Sequence, residues 1–423
     1  MSQTDVKAPS SSRWGSLQHR DFRLLWAART VSSAGDRITW LALPSTAILV
    51  LGATASQIGT LNAVGNLAWP LLGVFAGVWV DRMRRRRILI AADLARVALI
   101  ASIPAVYALG HLTFAQLYLV AGLVGVLTMF FDLAVTAHTP VIVPPQDWAD
   151  ANAKVEISSQ AVYAIGPGVA GLLIHVLTAP LALLADAASF LVSAALISLT
   201  RPGAELSSAP VRRSLFREAG EGLRFIAGNP VLLRIAITAG VSNVGLLMGL
   251  SVQLLFLYRV MHLSPFVIGI CFGVGSIGSL AGAAFTGRVM RRLGIHKTLV
   301  LSSAIEGLAL LLIPLGLVAP IVPLLVAGLA ASGFWGTIWN VSVTTFRQRL
   351  IRTELLGRVT AAGRVIAFGA LPLGSLLGGF VGQALSNRLG VSSGLAVTLV
   401  MAALIAASSS LTLISSRGFA SRQ

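Results

Sequence analysis

Long apolar stretches separated by short connections, with basic residues in every second connection, constrain the fold of this chain more than any other feature. A helix of about 20 apolar residues crosses the hydrocarbon of a bilayer. The pattern is therefore typical of an all-α membrane protein. Hydropathy predicts twelve transmembrane helices, at 24–50, 57–80, 88–109, 113–138, 155–177, 181–199, 231–257, 265–287, 298–317, 321–345, 358–385 and 391–414.

The arginines and lysines distinguish the two faces of the membrane. A basic run at 82–87 follows predicted helix 2, and further basic residues occur within 201–230 and 288–297. The opposite connections carry essentially Arg259 and Arg388. Because positively charged loops stay in the cytoplasm, the pattern predicts that both termini are cytoplasmic.

Composition narrows the classes of function. The chain is 56% hydrophobic and 11% charged, which leaves no room for a large soluble core. The formal net charge is +17, and the basic residues lie in short loops at helix ends without interleaved aromatic residues. We therefore expect them to contact anionic lipid headgroups rather than nucleic acid. The sequence has no phosphate-binding loop and no catalytic or metal-ligand motif, so we expect neither an enzyme nor a cofactor.

One long connection divides the predicted helices into two bundles. The predicted segments are a cytoplasmic N-terminal segment at 1–23, a six-helix bundle at 24–200, a cytoplasmic linker at 201–230, a second six-helix bundle at 231–414 and a cytoplasmic tail at 415–423. Within the linker, Leu215, Leu223 and Ile226 recur at helical spacing. They predict an amphipathic helix on the membrane surface, acting as a tether or, alternatively, in regulation.

The two bundles are related by an internal repeat. Gly77 and the basic residues after it are echoed by Gly287 and its basic neighbours. The small residues of 165–171 in predicted helix 5 are matched by 371–379 in predicted helix 11. Repeats of this kind predict two pseudo-symmetric six-helix bundles.

These residues resemble the major facilitator superfamily of transporters. Gly77, Asp81, Arg82 and the following basic cluster are similar to its signature between helices 2 and 3. The element containing Gly166, Pro167 and Gly171 is similar to the helix 5 signature of its antiporter members. The segments 35–36, 131–144, 151–153 and 186–190 resemble the bacterial branch with enterobactin exporters and macrolide efflux proteins. The resemblance implies a monomer in the bacterial cytoplasmic (inner) membrane.

The resemblance also implies a gate. Asp81 would receive hydrogen bonds from the start of predicted helix 11, with Arg82 and Arg86 completing a latch. The alternative is that the basic run only sets topology. Gly166, Pro167 and Gly171 remove bulk and a backbone donor, which predicts a bend and a close helix contact, and the resemblance implies a hinge there. Two residues depart from the signature. Arg84 replaces its second glycine, and the copy of the segment in the second half has Gly287 where the first half has Asp81.

Two acids are candidates for proton coupling. Asp36 lies about 18 Å into predicted helix 1, near the bilayer midplane, where an unpaired charge is costly. It shares a polar stripe with Ser33 and Trp40, so we expect it to face a cavity. The alternative is a static pair with an arginine, such as Arg37 or Arg364. Asp132, in predicted helix 4 with Thr128, is expected nearer the cytoplasmic mouth as a gate or salt-bridge residue.

Predicted helices 7 and 10 should complete the cavity. Asn243 and Gln253 lie on helix 7, and Trp339 and Asn340 lie on helix 10. Together with Ser33, Trp40 and Thr128, they are the expected substrate contacts. For Trp339 the alternative is that it anchors the helix at the membrane interface. Asp93 and Arg96, three residues apart on predicted helix 3, are expected to pair with each other or to join the network of Asp81. Glu306 receives no role.

The sequence and the resemblance together predict a secondary exporter. It would expel a small amphiphilic compound, such as an antibiotic, drug or siderophore-like metabolite, in exchange for protons by alternating access. Lipid or lysolipid flipping is one alternative. A membrane receptor or secretion-accessory protein that does not transport is another.

Overall fold

The computed structural model describes residues 15–201, 215–319, 321–351 and 353–414. The helices of the first half are α1 (Arg20–Leu49), α2 (Ala55–Asn66), α3 (Ala68–Arg82), α4 (Arg85–Ala108), α5 (Phe114–Ile142), α6 (Trp148–Leu177) and α7 (Ala179–Ser198). After the linker helix α8 (Leu215–Gly228), the second half comprises α9 (Pro230–Arg259), α10 (Pro265–Ala309), α11 (Ile321–Leu350), α12 (Thr353–Leu389), α13 (Val391–Ser408) and α14 (Leu411–Ile414).

The twelve predicted spans are all present, although they do not coincide with single helices. In the described residues, nine helices are individually long and apolar enough to span a membrane. The polar side chains of α1, Asp36 and Arg37 among them, make it less apolar than those nine. The second span is broken at Leu67 into α2 and α3. The 45-residue α10 contains two spans, because Gly294, with φ 72° and ψ 163°, reverses the chain inside it.

Several helices extend beyond their predicted spans toward one end of the molecule. Helix α6 begins at Trp148 rather than 155, and α12 begins at Thr353 rather than 358. These additional turns carry polar residues, which hydropathy excludes from a span but a helix readily includes. They lie at the membrane face that bears the basic connections 82–87 and 288–297, hereafter the basic side.

The two halves pack tightly at the end opposite the basic side. A β-carbon added to Gly59 of α2 would lie 2.6 Å from Cα of Gly379 in α12. A β-carbon added to Gly171 of α6 would lie 2.9 Å from Cα of Gly269 in α10. Only glycine permits such close backbone approach, so these pairs close this end of the molecule.

Helix α8 packs on protein through two of its apolar side chains. Its residues Phe225 and Ile226 join an apolar cluster with Leu232, Ile351 and Val359. The ends of neighbouring helices thus cover these two apolar side chains, and the position of α8 at the membrane surface stays a prediction. Leu223 remains 41% exposed. The side chains of Leu215, Phe216 and Ala219, and residues 202–214, lie outside the part that the structure describes.

Candidate functional site

Arg96 is the centre of a charge network inside the first half. Its side chain on α4 is 0% exposed and forms an ion pair with Asp93, one turn earlier on the same helix. Its Nη1 lies 3.8 Å from the carboxylate of Asp36 on α1. Because a buried charge is costly unless it is matched, the two carboxylates stabilise the guanidinium in this apolar region.

The remaining neighbours of Arg96 fix its orientation. Nη1 donates a hydrogen bond of 3.4 Å to the Thr128 hydroxyl on α5. The guanidinium carbon lies 4.5 Å from the ring centroid of Phe131 and 4.1 Å from that of Phe190. Aromatic faces attract cations, so the two rings hold the charge from α5 and α7. The expected pairing of Asp93 with Arg96 is present, and Asp36 is an additional partner.

A third carboxylate, Asp186 of α7, lies beside Asp36. It is fully buried and accepts hydrogen bonds from the hydroxyls of Thr39 and Ser189. Gly35 brings α1 onto α7 here, since a β-carbon at this position would clash with Ser189 and Asp186. Asp36 and Asp186 are close enough to repel each other when both are charged. Sequence reasoning did not bring Asp186 together with Asp36, and the signal that it missed was Gly35, directly before Asp36.

Arg29 and Asp132 form the part of the network nearest the basic side. Their charged groups are 3.9 Å apart, and the Asp132 side chain is 45% exposed. A neighbouring cavity of about 210 Å³ is lined by Arg29 together with side chains of α5 and α6, including Thr136, Thr139, Trp148 and Asn152. Asp132 is therefore accessible, as expected for a residue near a mouth.

An arginine does lie beside Asp36, as the alternative of a static pair proposed, but it is Arg96 rather than Arg37. The Arg37 guanidinium instead lies 4.1 Å from the ring centroid of Tyr163, and its stem packs on Gly166. The side chain of Arg364 is outside the described part. The network thus contains the four carboxylates of Asp36, Asp93, Asp132 and Asp186 and the three guanidiniums of Arg29, Arg37 and Arg96.

The expected substrate contacts of the first half lie near this network. Ser33 and Trp40 are partly buried on α1. The ring of Trp40 meets that of Phe272 on α10 edge to face, with centroids 5.3 Å apart. Trp40 therefore lies between the halves. Thr128 is already engaged by Arg96.

The expected contacts of the second half are more scattered. Asn243 donates a 3.1 Å hydrogen bond to the Ala367 carbonyl, and Asn340 is exposed. Gln253 is 5% exposed and Trp339 is 7% exposed. The expectation that these last two face an open cavity is wrong for this conformation. The ring of Trp339 instead fills an apolar cluster with residues of four helices, namely Ile235, Leu299, Val343 and Leu413.

The expected gating residues occupy two regions. Gly166, Pro167 and Gly171 lie where α6 approaches α10, and the close helix contact expected from them is present at Gly171. Arg82 is exposed, and Arg86 donates to the carbonyls of Ile197 and Ser198 at the end of α7. Gly77 and Asp81 belong to α3, but their surroundings lie outside the described side chains.

Comparison with known proteins agrees with this architecture. The family model described as Major Facilitator Superfamily matches residues 25–371. The multidrug efflux pump Tap of Mycolicibacterium fortuitum is 29% identical, over 84% of this chain and 87% of its own. Macrolide efflux protein A of Streptococcus pyogenes is 25% identical, over 88% of this chain and 90% of its own.

Solved structures share the fold. A mutant of the nucleoside transporter NupG superimposes with a TM-score of 0.78 at 13% identity, covering 93% of this chain and 99% of its own. An inward-facing bacterial homologue of the lysosomal transporter Spinster gives a TM-score of 0.69 at 15% identity, with coverages of 96% and 98%. The family match, the twelve spans and the internal repeat agree, and the chain belongs to the Major Facilitator Superfamily of membrane transporters.

Proposed function

We propose that this protein is a secondary active exporter that exchanges protons for a small amphiphilic compound across the bacterial cytoplasmic membrane. The relatives named multidrug efflux pump and macrolide efflux protein support an antibiotic-like substrate. The polar and aromatic groups around α1 suit such a compound. With both termini cytoplasmic, the end closed by the glycine pairs faces outward, and the protein collects its substrate from the cytoplasm.

The excess of carboxylates over guanidiniums carries this proposal. Among the described side chains of this network there are four acids and only three arginines, so at least one acid has no arginine of its own. Because Asp36 and Asp186 are neighbours, one of them gains most from holding a proton. Arg96 is shared between Asp93 and Asp36, so protonation of Asp36 leaves the Arg96–Asp93 pair intact.

The exchange cycle follows from this arrangement. Asp36 holds a proton when the outward-facing cavity is empty, and it releases the proton toward the cytoplasm when substrate occupies the inward-facing cavity. Asp132 is more exposed and paired with Arg29 near the cytoplasmic mouth. It affects the rate of export rather than the coupling to protons. Asp81, Arg82 and Arg86 form the latch between α3 and the start of α12 in the outward-facing state.

An accumulation assay in an efflux-deficient host tests the proposal. A panel of antibiotics, dyes and lysolipids is supplied to cells that express the wild type, Asp36→Asn or Asp132→Asn. The wild type should lower accumulation of an amphiphilic drug, and Asp36→Asn, which mimics the protonated acid, should abolish that effect. Asp132→Asn should slow export without shifting its pH profile. Removal of lysolipids alone would instead indicate lipid flipping, and no change for any compound would indicate a protein that does not transport.

A further inference from the structure

The first three spans of the two halves align without an insertion. One register pairs Gly35 with Gly245, and the same register pairs Pro104 with Pro314. It also pairs Gly287 with Gly77, so the expected correspondence of Gly287 with Asp81 is wrong. The three-dimensional contacts agree with it. Gly35 packs on α7, the last span of its half, and Gly245 packs on α13, the equivalent span of the other half. Residues paired by this register therefore occupy equivalent places in the two bundles.

The register pairs Arg96 with Glu306. The basic centre of the first half is thus replaced by an acid in the second half. Its two acidic partners are replaced by uncharged residues, since Asp36 corresponds to Leu246 and Asp93 to Ser303. The second half therefore lacks the charges that match the network centre in the first half.

Glu306 lies at mid-depth on α10, beyond the reversal at Gly294. Its carboxylate contacts the backbone of α11 at Gly336, where a β-carbon would come 2.5 Å from Oε1. The absence of a side chain at Gly336 is what makes room for the carboxylate. Ser302 and Ser303 of the preceding turn donate to carbonyls of their own helix. In the described part of the chain, Glu306 has no hydrogen-bonding or ion-pair partner.

The helices around Glu306 bring no counter-charge near it. Helix α13 has no charged residue, and the basic residues of α9 and α11 lie toward the helix ends, namely Arg234, Arg259, Arg347 and Arg349. Those of α10 lie around its reversal at Gly294, namely Arg288, Arg291, Arg292, His296 and Lys297. The nearest on its own helix, Lys297, is nine residues earlier, about 14 Å along the axis. An ionised carboxylate at this depth without a cation costs several kcal/mol.

We infer that Glu306 binds the positively charged group of the transported compound. When no such compound is bound, the carboxyl group holds a proton, which it releases to water as the cation takes its place. The role of Glu306 depends on the proposed function only in that the protein binds an amphiphile. In the proposed function Asp36 couples export to the movement of protons across the membrane, and Glu306 adds a preference for cations.

Equilibrium binding to purified protein in detergent tests this role without any turnover. The probes are tetraphenylphosphonium, a lipophilic cation, and triphenylphosphine oxide, a neutral compound of related shape. Glu306→Gln should weaken binding of the cation about tenfold, while Glu306→Asp should stay within about threefold of the wild type. Both variants should bind the neutral probe as the wild type does. Ser303→Ala, one turn away on the same helix, should leave both affinities unchanged.

Several outcomes would overturn the inference. The first is tetraphenylphosphonium binding by Glu306→Gln at the wild-type affinity, and the second is a wild type that does not bind this cation. An equal loss of both probes, in a variant that unfolds at the wild-type temperature, would show that Glu306 only packs between α10 and α11. Each result is independent of Asp36→Asn, so the inference and the proposed function can fail separately.

Discussion

At the scale of residues, one buried guanidinium organises the core of the first half. Arg96 is held by two carboxylates, a hydroxyl and two aromatic rings contributed by α1, α4, α5 and α7. Such a centre specifies how the four helices pack, because each of them contributes a group that contacts the buried cation or the cation itself. Loss of the cation leaves Asp36 and Asp93 facing each other without compensation.

Replacement of Arg96 should therefore destabilise the protein strongly. Removing one partner of a buried ion pair typically costs about 3–5 kcal/mol. We expect Arg96→Leu to unfold in detergent at a clearly lower temperature than the wild type, and the added change Asp93→Asn to restore part of the loss. Arg388→Gln, at an exposed arginine, is the control and should change little. Equal unfolding temperatures for Arg96→Leu and the wild type would show that the network is not structural.

The sequence predicted part of this site. The pair Asp93 and Arg96 is three residues apart on one helix, a spacing that is visible in the sequence. The contact of Arg96 with Asp36 joins helices far apart in the chain, and it depends on a packing that hydropathy does not determine. Trp339 was misplaced for a related reason, since a tryptophan at the helical spacing of a polar stripe can equally fill a core.

At the scale of elements, two glycine pairs related by the internal repeat hold the halves together. Gly59 meets Gly379 between α2 and α12, and Gly171 meets Gly269 between α6 and α10. Alternating access requires these contacts to part and re-form. The sequence predicted the helices well. Of these four glycines it singled out Gly171 as a contact residue, and it noted the segment with Gly379 only as the counterpart of 165–171 in the repeat. Gly59 and Gly269 were missed, because small residues occur throughout membrane helices.

A larger side chain at Gly171 should therefore impair transport. Gly171→Val places methyl groups against the backbone of α10, so the end opposite the basic side cannot close as tightly. We expect at least a tenfold lower export rate at normal protein levels. Gly168→Val is the matched control on the same helix, because a β-carbon there meets no atom within 4 Å. Similar rates for the two variants would refute a closing role for this contact.

At the scale of the whole molecule, the distribution of charge sets the orientation on which export depends. Reporters fused within 201–230 or after Arg422 should be cytoplasmic, because the basic connections lie on that side. Reporters near His111 or Met261 should be outside. Fluorescence and phosphatase fusions in intact cells provide the measurement. A cytoplasmic reporter at His111 would contradict the orientation and reverse the proposed direction of transport.

The central claim is that export is coupled to proton exchange at Asp36. The most direct measurement is proton movement in liposomes that contain the purified protein and a pH-sensitive dye, after addition of a compound identified in the accumulation assay. The wild type should move protons opposite to the compound in proportion to the amount transported, and Asp36→Asn should move none although it still inserts and binds the compound. Compound transport without proton movement, or proton movement unchanged in Asp36→Asn, would contradict the account.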